Sequence, residues 1–169
     1  MGLFDKLFNL EGKAYLPPLD DVKDSDIVAI ADGEMIDIKE VSDPMFAEEM
    51  MGKSIAFRYD KKTILCAPAN GELTALFPTG HAYGITTNEG VELLVHCGVD
   101  TVNAKGDGFK LFKKQGDIVK AGDPIVEVDF PRLAEKYDMS TILILTHDNG
   151  KQIDFIDRQP VKRGQSLVK

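Results

Sequence analysis

The sequence predicts an all-β fold: an internally duplicated antiparallel β-sandwich with one or two short helices. Three observations carry that expectation. From Ile27 onward the chain runs in short apolar stretches separated by glycine turns. Two of those strand-turn units recur, Ile27–Met35 in Leu65–Leu73 and Val119–Val126 in Val161–Val168. No segment offers a long amphipathic helical face.

Taken in order, residues 1–11 place Leu3, Phe4, Leu7, Phe8 and Leu10 at helical spacing. Only Lys6 and nearby Lys13 supply positive charge, and so short a helix is marginal in water. The expectation is a flexible tail, with at most weak membrane contact through residues 1–11. Residues 12–26 hold Pro17-Pro18 and Asp20, Asp21, Asp24 and Asp26, which reads as a linker. The domain division is therefore a tail and linker over 1–24 and a single sandwich domain over 25–169.

Within the domain the first repeat aligns Ala31-Asp32-Gly33-Glu34 with Ala69-Asn70-Gly71-Glu72. Asp-Gly and Asn-Gly are strong turn signals because both residues tolerate positive φ. Helical signals are confined to Asp107–Lys114, enough for a turn or two before Gly116, and Phe130–Tyr137, where Pro131 suits a first turn.

Composition narrows the function. The 169 residues suffice for one core, and 28 acidic against 20 basic residues give a net charge of −8. Such a surface suits a basic protein partner better than nucleic acid or anionic lipid. Two cysteines, Cys66 and Cys97, are too few for a disulfide framework, and no apolar run approaches membrane-helix length. A cytoplasmic protein is the default expectation.

The chemistry centres on Gly90–Val102, an apolar, β-branched run that contains His96. An unpaired imidazole is expensive to bury, so its presence there calls for a reason. Alternation puts Leu94, His96 and Gly98 on one face and Leu93, Val95 and Cys97 on the other. That argues against a Cys-His metal pair and leaves Cys97 as a small hydrophobe. A neutral imidazole can act as a nucleophile at cytoplasmic pH when one ring nitrogen is free and the other is tied. His81 ends a separate turn-rich stretch, Phe77–Ala82, while His147 sits in a polar turn. A satisfied core histidine is the ordinary alternative for either one alone.

The run GVELLVHCGVDTV, with APANGELTALFPTGHAYGI and the blocks MGLFDKL, FAEEMMGKSIAF, GDGFK and GDIVKAGDPIVEVD, resembles the glucose-family enzyme IIA proteins of the bacterial sugar phosphotransferase system. The match spans nearly the full length at consistent spacing. It implies a duplicated hybrid motif-like sandwich and phosphorylation of His96, held by backbone contact around Gly98. It also implies that His81 stabilises the phosphoryl oxygens and that Thr79 orients His81. This chain has Gly80 where the family often has Asn, and Cys97 where it usually has a plain apolar residue.

The implied donor is the histidine-containing phosphocarrier protein, and the implied acceptor is a cysteine on the IIB domain of a sugar permease. Transfer between proteins needs a patch from which water is shed. Met45, Phe46, Met50, Met51, Phe77 and Leu94 match apolar family positions, and Asp43 and Asp100 match acids that would pair with a basic donor. Each of these also suits a core residue or a solvated charge. No cofactor is required, since a transient phosphohistidine is the intermediate.

The resemblance further implies an auxiliary zinc at His81 and His96 when a partner adds a carboxylate. A regulatory binding module, with targets chosen by phosphorylation state, is a second function class. A zinc hydrolase of similar form is a third, but it lacks the further ligands that zinc needs. The Gly-Asp pairs at 106–107, 116–117 and 122–123 form no phosphate loop. Lys120 lacks the setting of a lipoyl or biotinyl lysine.

Overall fold

The computed structural model describes residues 16–169; the flexible tail expected over 1–11 lies outside them. Eleven strands form two sheets among the described residues. The larger runs β11 (Pro160–Val161), β1 (Gly33–Ile36), β2 (Lys53–Arg58), β10 (Thr141–His147), β6 (Glu92–Cys97), β5 (Ala82–Thr87), β4 (Gly71–Leu76), β8 (Ile118–Val119). The smaller runs β3 (Thr63–Cys66), β9 (Pro124–Val128), β7 (Phe109–Leu111). All pairings are antiparallel, so the all-β sandwich expectation holds.

Alternation along the central strands separates two cores. Leu93, Val95 and Cys97 of β6, Leu143 and Leu145 of β10, and Tyr83 and Ile85 of β5 belong to the main core. That core also takes in Leu65 of β3 and Val126 of β9, from the three-stranded sheet. The Tyr83 hydroxyl ties the layers together by donating to the Cys66 carbonyl at 2.7 Å. The opposite face of the large sheet carries a small second core of Ile36, Val41, Phe46, Ala56, Ile142 and Ile144, with Leu94 and Val99 packed on it. β6 is thus apolar on both faces because each face meets a core.

The duplication is present bond for bond. Ala29 N–H donates to Gln165 O at 2.8 Å, and Ala67 N–H to Asp123 O at 2.9 Å. Gly164 N–H returns to Ala29 O, as Gly122 N–H returns to Ala67 O. Asp32 Oδ1 accepts from Arg163 N–H at 2.8 Å, and Asn70 Oδ1 from Ala121 N–H at 2.9 Å. The two turn residues singled out in the first repeat thus each brace the turn of the second.

Residues 17–24, expected as linker, contain no helix or strand but are fastened to this duplicated feature. Arg163 Nη2 donates to Pro17 O at 2.9 Å and to Gly122 O at 2.7 Å. Asn70 and Asn88 both donate to Asp24 Oδ1. Leu19 fills the space that a side chain at either Gly122 or Gly164 would need. Polar turn side chains, which composition cannot assign a partner, make the attachment.

Other local expectations divide. Phe130–Leu133 is a short helix with Pro131 in its first turn, capped by Asp129. Residues 107–114 do not make the expected helical turn. Phe109 and Leu111 are half-buried, Lys110 between them is exposed, and that alternation makes β7. The strand expected through Val102 stops at Cys97, because Gly98 (φ 77°) and Asp100 (φ 61°) turn the chain into a 3-10 helix, Thr101–Ala104. A second short α-helix, Pro44–Ala47, is started by Asp43, whose side chain accepts from Met45 N–H at 2.9 Å.

Leu19→Ala is expected to lower stability by about 1–2 kcal/mol, below the range for truncating a fully buried leucine, because Leu19 is only half-buried. Urea unfolding at constant m checks it. An unchanged midpoint would mean the attachment contributes nothing.

Candidate functional site

His96 lies near the end of β6, which pairs on one side with β10 (Ile142 opposite His96) and on the other with β5 (Ala82 opposite His96). His81 immediately precedes β5, and its carbonyl accepts from Cys97 N–H at 2.7 Å. Strand pairing alone therefore brings the two histidines together. Their ring centroids are 5.4 Å apart with planes at 79°, an edge-on arrangement.

Each imidazole is tied through Nδ1. His96 Nδ1 lies 2.7 Å from Gly98 O. A carbonyl only accepts, so this nitrogen carries the proton and Nε2 keeps its lone pair. His81 Nδ1 lies 2.7 Å from Thr79 Oγ1. When the hydroxyl donates to Nδ1, the His81 proton resides on Nε2. The pair then presents one acceptor nitrogen and one donor N–H.

Gly98 makes the first of these contacts available. Its φ of 77° turns the carbonyl back toward the ring, and a Cβ there would collide with Thr101 Cγ2 and Met139 Sδ. Gly98 N–H donates to Ser140 O and Val99 N–H to Asp138 O, fixing the turn to the segment that leads into β10.

Aromatic rings form the walls. Phe46 packs against His96 at 4.8 Å between centroids, and Phe77 lies edge-on to His81 at 5.1 Å. His81 is only 4 % exposed. Burial lowers the basicity of both imidazoles. At His96 the Gly98 bond opposes burial, His81 reinforces it, and the negative charges of Asp43 and Asp100 weakly oppose it. Both rings are therefore neutral near pH 7.

The other sequence candidates fall into place unevenly. Met45, Met50, Met51 and Phe77 are exposed apolar side chains. Leu94 is half-buried on the His96 face. Phe46 departs from the expectation of a docking residue: it is 3 % exposed and serves as the wall behind His96, because its helix folds it into the second core. Asp43 caps that helix, and Asp100 occupies the left-handed turn after the strand. Sequence reasoning missed exposed Val102 and the Asp138–Ser140 segment. Asp43-Pro44, a capping residue followed by proline, was the available signal for the helix that delivers Phe46. Among the described residues no group of three or more His, Cys, Asp or Glu is arranged to hold a metal ion. No helix among them is long and apolar enough to cross a membrane.

Against known proteins, residues 25–151 match the family described as phosphoenolpyruvate-dependent sugar phosphotransferase system, EIIA 1. The chain belongs to this family, whose members are phosphotransferase components of sugar transport. It is 39% identical over 147 residues to the "PTS system glucose-specific EIIA component" of Mycoplasma capricolum, covering 86% of this chain and 95% of that one. It is 36% identical over 137 residues to the "PTS system glucose-specific EIICBA component" of Staphylococcus carnosus, covering 80% of this chain and 20% of the longer relative. The solved structure of glucose permease IIA from Mycoplasma capricolum superimposes with a TM-score of 0.79 at 38% identity, covering 85% of this chain and 93% of that one.

A pH dependence of stability follows from the buried rings. Unfolding returns both to the ordinary value of 6.5, so below it the unfolded chain binds more protons than the folded one. The histidine contribution is therefore fully present above about pH 6.5 and is lost as pH falls through the lowered folded values. Urea midpoints between about pH 7.5 and 5 should fall in the wild type and fall less in His81→Gln and His96→Gln. Parallel curves for all three proteins would refute this origin.

Proposed function

We propose that this chain is a phosphocarrier that takes a phosphoryl group on His96 Nε2 and passes it on. The Nδ1–Gly98 contact is the observation that carries this reading, since it leaves Nε2 unprotonated with a free lone pair on a ring held in place. In uptake, that lone pair forms a bond to phosphorus while the bond from phosphorus to the donor's imidazole nitrogen breaks. In release, an acceptor thiolate attacks phosphorus, the Nε2–P bond breaks, and the ring leaves as a neutral imidazole. His81, with Nδ1 occupied by Thr79, offers Nε2–H to the phosphoryl oxygens as charge develops on them.

The donor in this reading is the histidine-containing phosphocarrier protein, and the acceptor is the IIB cysteine of a sugar permease. The name of the Staphylococcus carnosus relative puts a IIA unit in one chain with IIB and IIC, which favours a IIB acceptor. Asp43 and Asp100 flank His96 with negative charge that suits a basic donor surface. Exposed Met45, Met50, Met51 and Phe77 supply the apolar rim from which water is shed on docking. The reaction needs no resident cofactor and takes place in the cytoplasm. Two histidines alone do not complete a zinc site, so an auxiliary zinc at His81 and His96 requires a partner carboxylate.

A second reading adds to the first. Three exposed methionines on one short segment make an adaptable surface of the kind that accommodates several partners. Phosphorylation adds roughly two negative charges to it. Regulatory targets would then be sorted by the state of His96.

Single-turnover labelling from phosphoenolpyruvate, with the two general phosphotransferase proteins, tests the proposal. His96→Gln should form no acid-labile, alkali-stable adduct. His81→Gln should form it, with onward transfer slowed on the order of 10²-fold, the typical loss for one oxyanion donor. An adduct in His96→Gln and none in His81→Gln would reverse the two roles.

A further inference from the structure

We infer that Asp138 is a positioning residue for His96, joining through one carboxylate the turn below the ring and the Phe46 wall beside it. The inference rests on the reading of His96 as nucleophile. Asp138 touches neither histidine. Its reach is through the backbone on one side and through a loop on the other.

On the first side, Asp138 Oδ1 accepts from Ser140 N–H at 3.0 Å and from Ser140 Oγ–H at 2.7 Å. These bonds set the shape of residues 138–140. The two carbonyls of that segment then receive the turn below His96: Ser140 O takes Gly98 N–H at 2.9 Å, and Asp138 O takes Val99 N–H at 2.8 Å. Gly98 O in turn is the acceptor for His96 Nδ1–H at 2.7 Å. The carboxylate therefore stands two hydrogen bonds behind the carbonyl that selects the ring's tautomer.

On the second side, Asp138 Oδ2 accepts from Ser42 N–H at 3.0 Å, a contact 96 residues away in sequence. Ser42 is followed directly by Asp43, the cap of Pro44–Ala47, and that helix lays Phe46 against the His96 ring. One oxygen thus shapes the floor of the site and the other anchors its aromatic wall. Burial pushes the Asp138 carboxyl up, yet its Ser140 and Ser42 donors outweigh burial and hold it below its ordinary value. It remains an anion, acceptor-only, across the working pH range.

The alternative is that Asp138 merely stabilises the fold. The two differ in the state of the His96 ring, which nitrogen-15 imidazole spectra read directly. In the wild type His96 should show the Nδ1–H tautomer. In Asp138→Ala a population with the proton on Nε2 should appear, and single-turnover phosphoryl uptake should fall by about 10- to 100-fold, the scale expected when a reacting group is displaced by ~1 Å. Asp138→Asn keeps an acceptor for Ser140 and loses the one for Ser42, so it should fall between them. It carries the same two readouts if the alanine variant fails to fold.

Folded variants with wild-type tautomer and wild-type uptake would overturn the inference, as would lowered stability alone. If the wild type itself takes no label on His96, the phosphocarrier reading fails. The tautomer comparison still decides whether Asp138 governs the ring.

Discussion

The hydrogen bond from His96 Nδ1 to the Gly98 carbonyl constrains everything around it. An imidazole presents two chemically distinct nitrogens, and only an outside partner decides which one bears the proton. Here the partner is a backbone carbonyl two residues along, a geometry an extended strand does not offer. β6 must therefore end at Cys97, the next residue must adopt positive φ, and the displaced N–H groups need new acceptors from another segment. The Gly98 turn, its anchorage on Asp138–Ser140 and the early end of β6 follow from that one requirement.

The duplicated sandwich provides the place where this can happen. In the strand order of the large sheet, β11-β1-β2-β10 mirrors β8-β4-β5-β6, so β6 and β10 meet at the centre. A central strand has ladder partners on both sides, so its backbone is fixed by β5 and β10 together. β5 also brings His81 alongside. With a core on each face, a side chain there reaches solvent only where the outer core is thin. The helix Pro44–Ala47 covers that outer face enough to seat Phe46 on the ring, while His96 itself stays half-buried. The same arrangement desolvates both imidazoles and keeps them neutral, the state in which one can attack and the other can donate.

The features legible in the sequence were those carried by short-range pattern. Period-2 alternation fixed which way His96 faces, and the Ala-Asp-Gly-Glu and Ala-Asn-Gly-Glu repeat marked the duplicated turns. The Thr79–His81 and His96–Gly98 contacts, which the family resemblance implies, each span two residues, and both are made. What escaped notice depends on partners distant along the chain. Ser42 and Asp138 are 96 positions apart, and neither carries a local signal of the other. The apolar residues of segment 107–114 suit a helical turn or a short strand alike, and pairing with β9 makes Phe109–Leu111 a strand. Phe46 and Met45 are neighbours of similar hydrophobicity, yet one is buried and the other 40 % exposed. The difference is set by how the helix lies on the sheet, and composition does not encode that.

Charge distribution follows the same logic at longer range. The chain carries a net charge of −8, yet the histidine pocket is walled by Phe46 and Phe77 and flanked at His96 by Asp43 and Asp100. A phosphoryl group seated there is close to apolar walls and to two carboxylates, surroundings that do not stabilise a dianion strongly. Weak stabilisation is what a carrier requires, because a group held too firmly would not leave for the next acceptor. In the proposed reading one neutral donor on His81 positions the oxygens, whereas an arginine in the pocket would deepen the bound state and slow release. Two neutral rings with few donors around them suit the proposed carrier role, in which the group must leave as readily as it arrives.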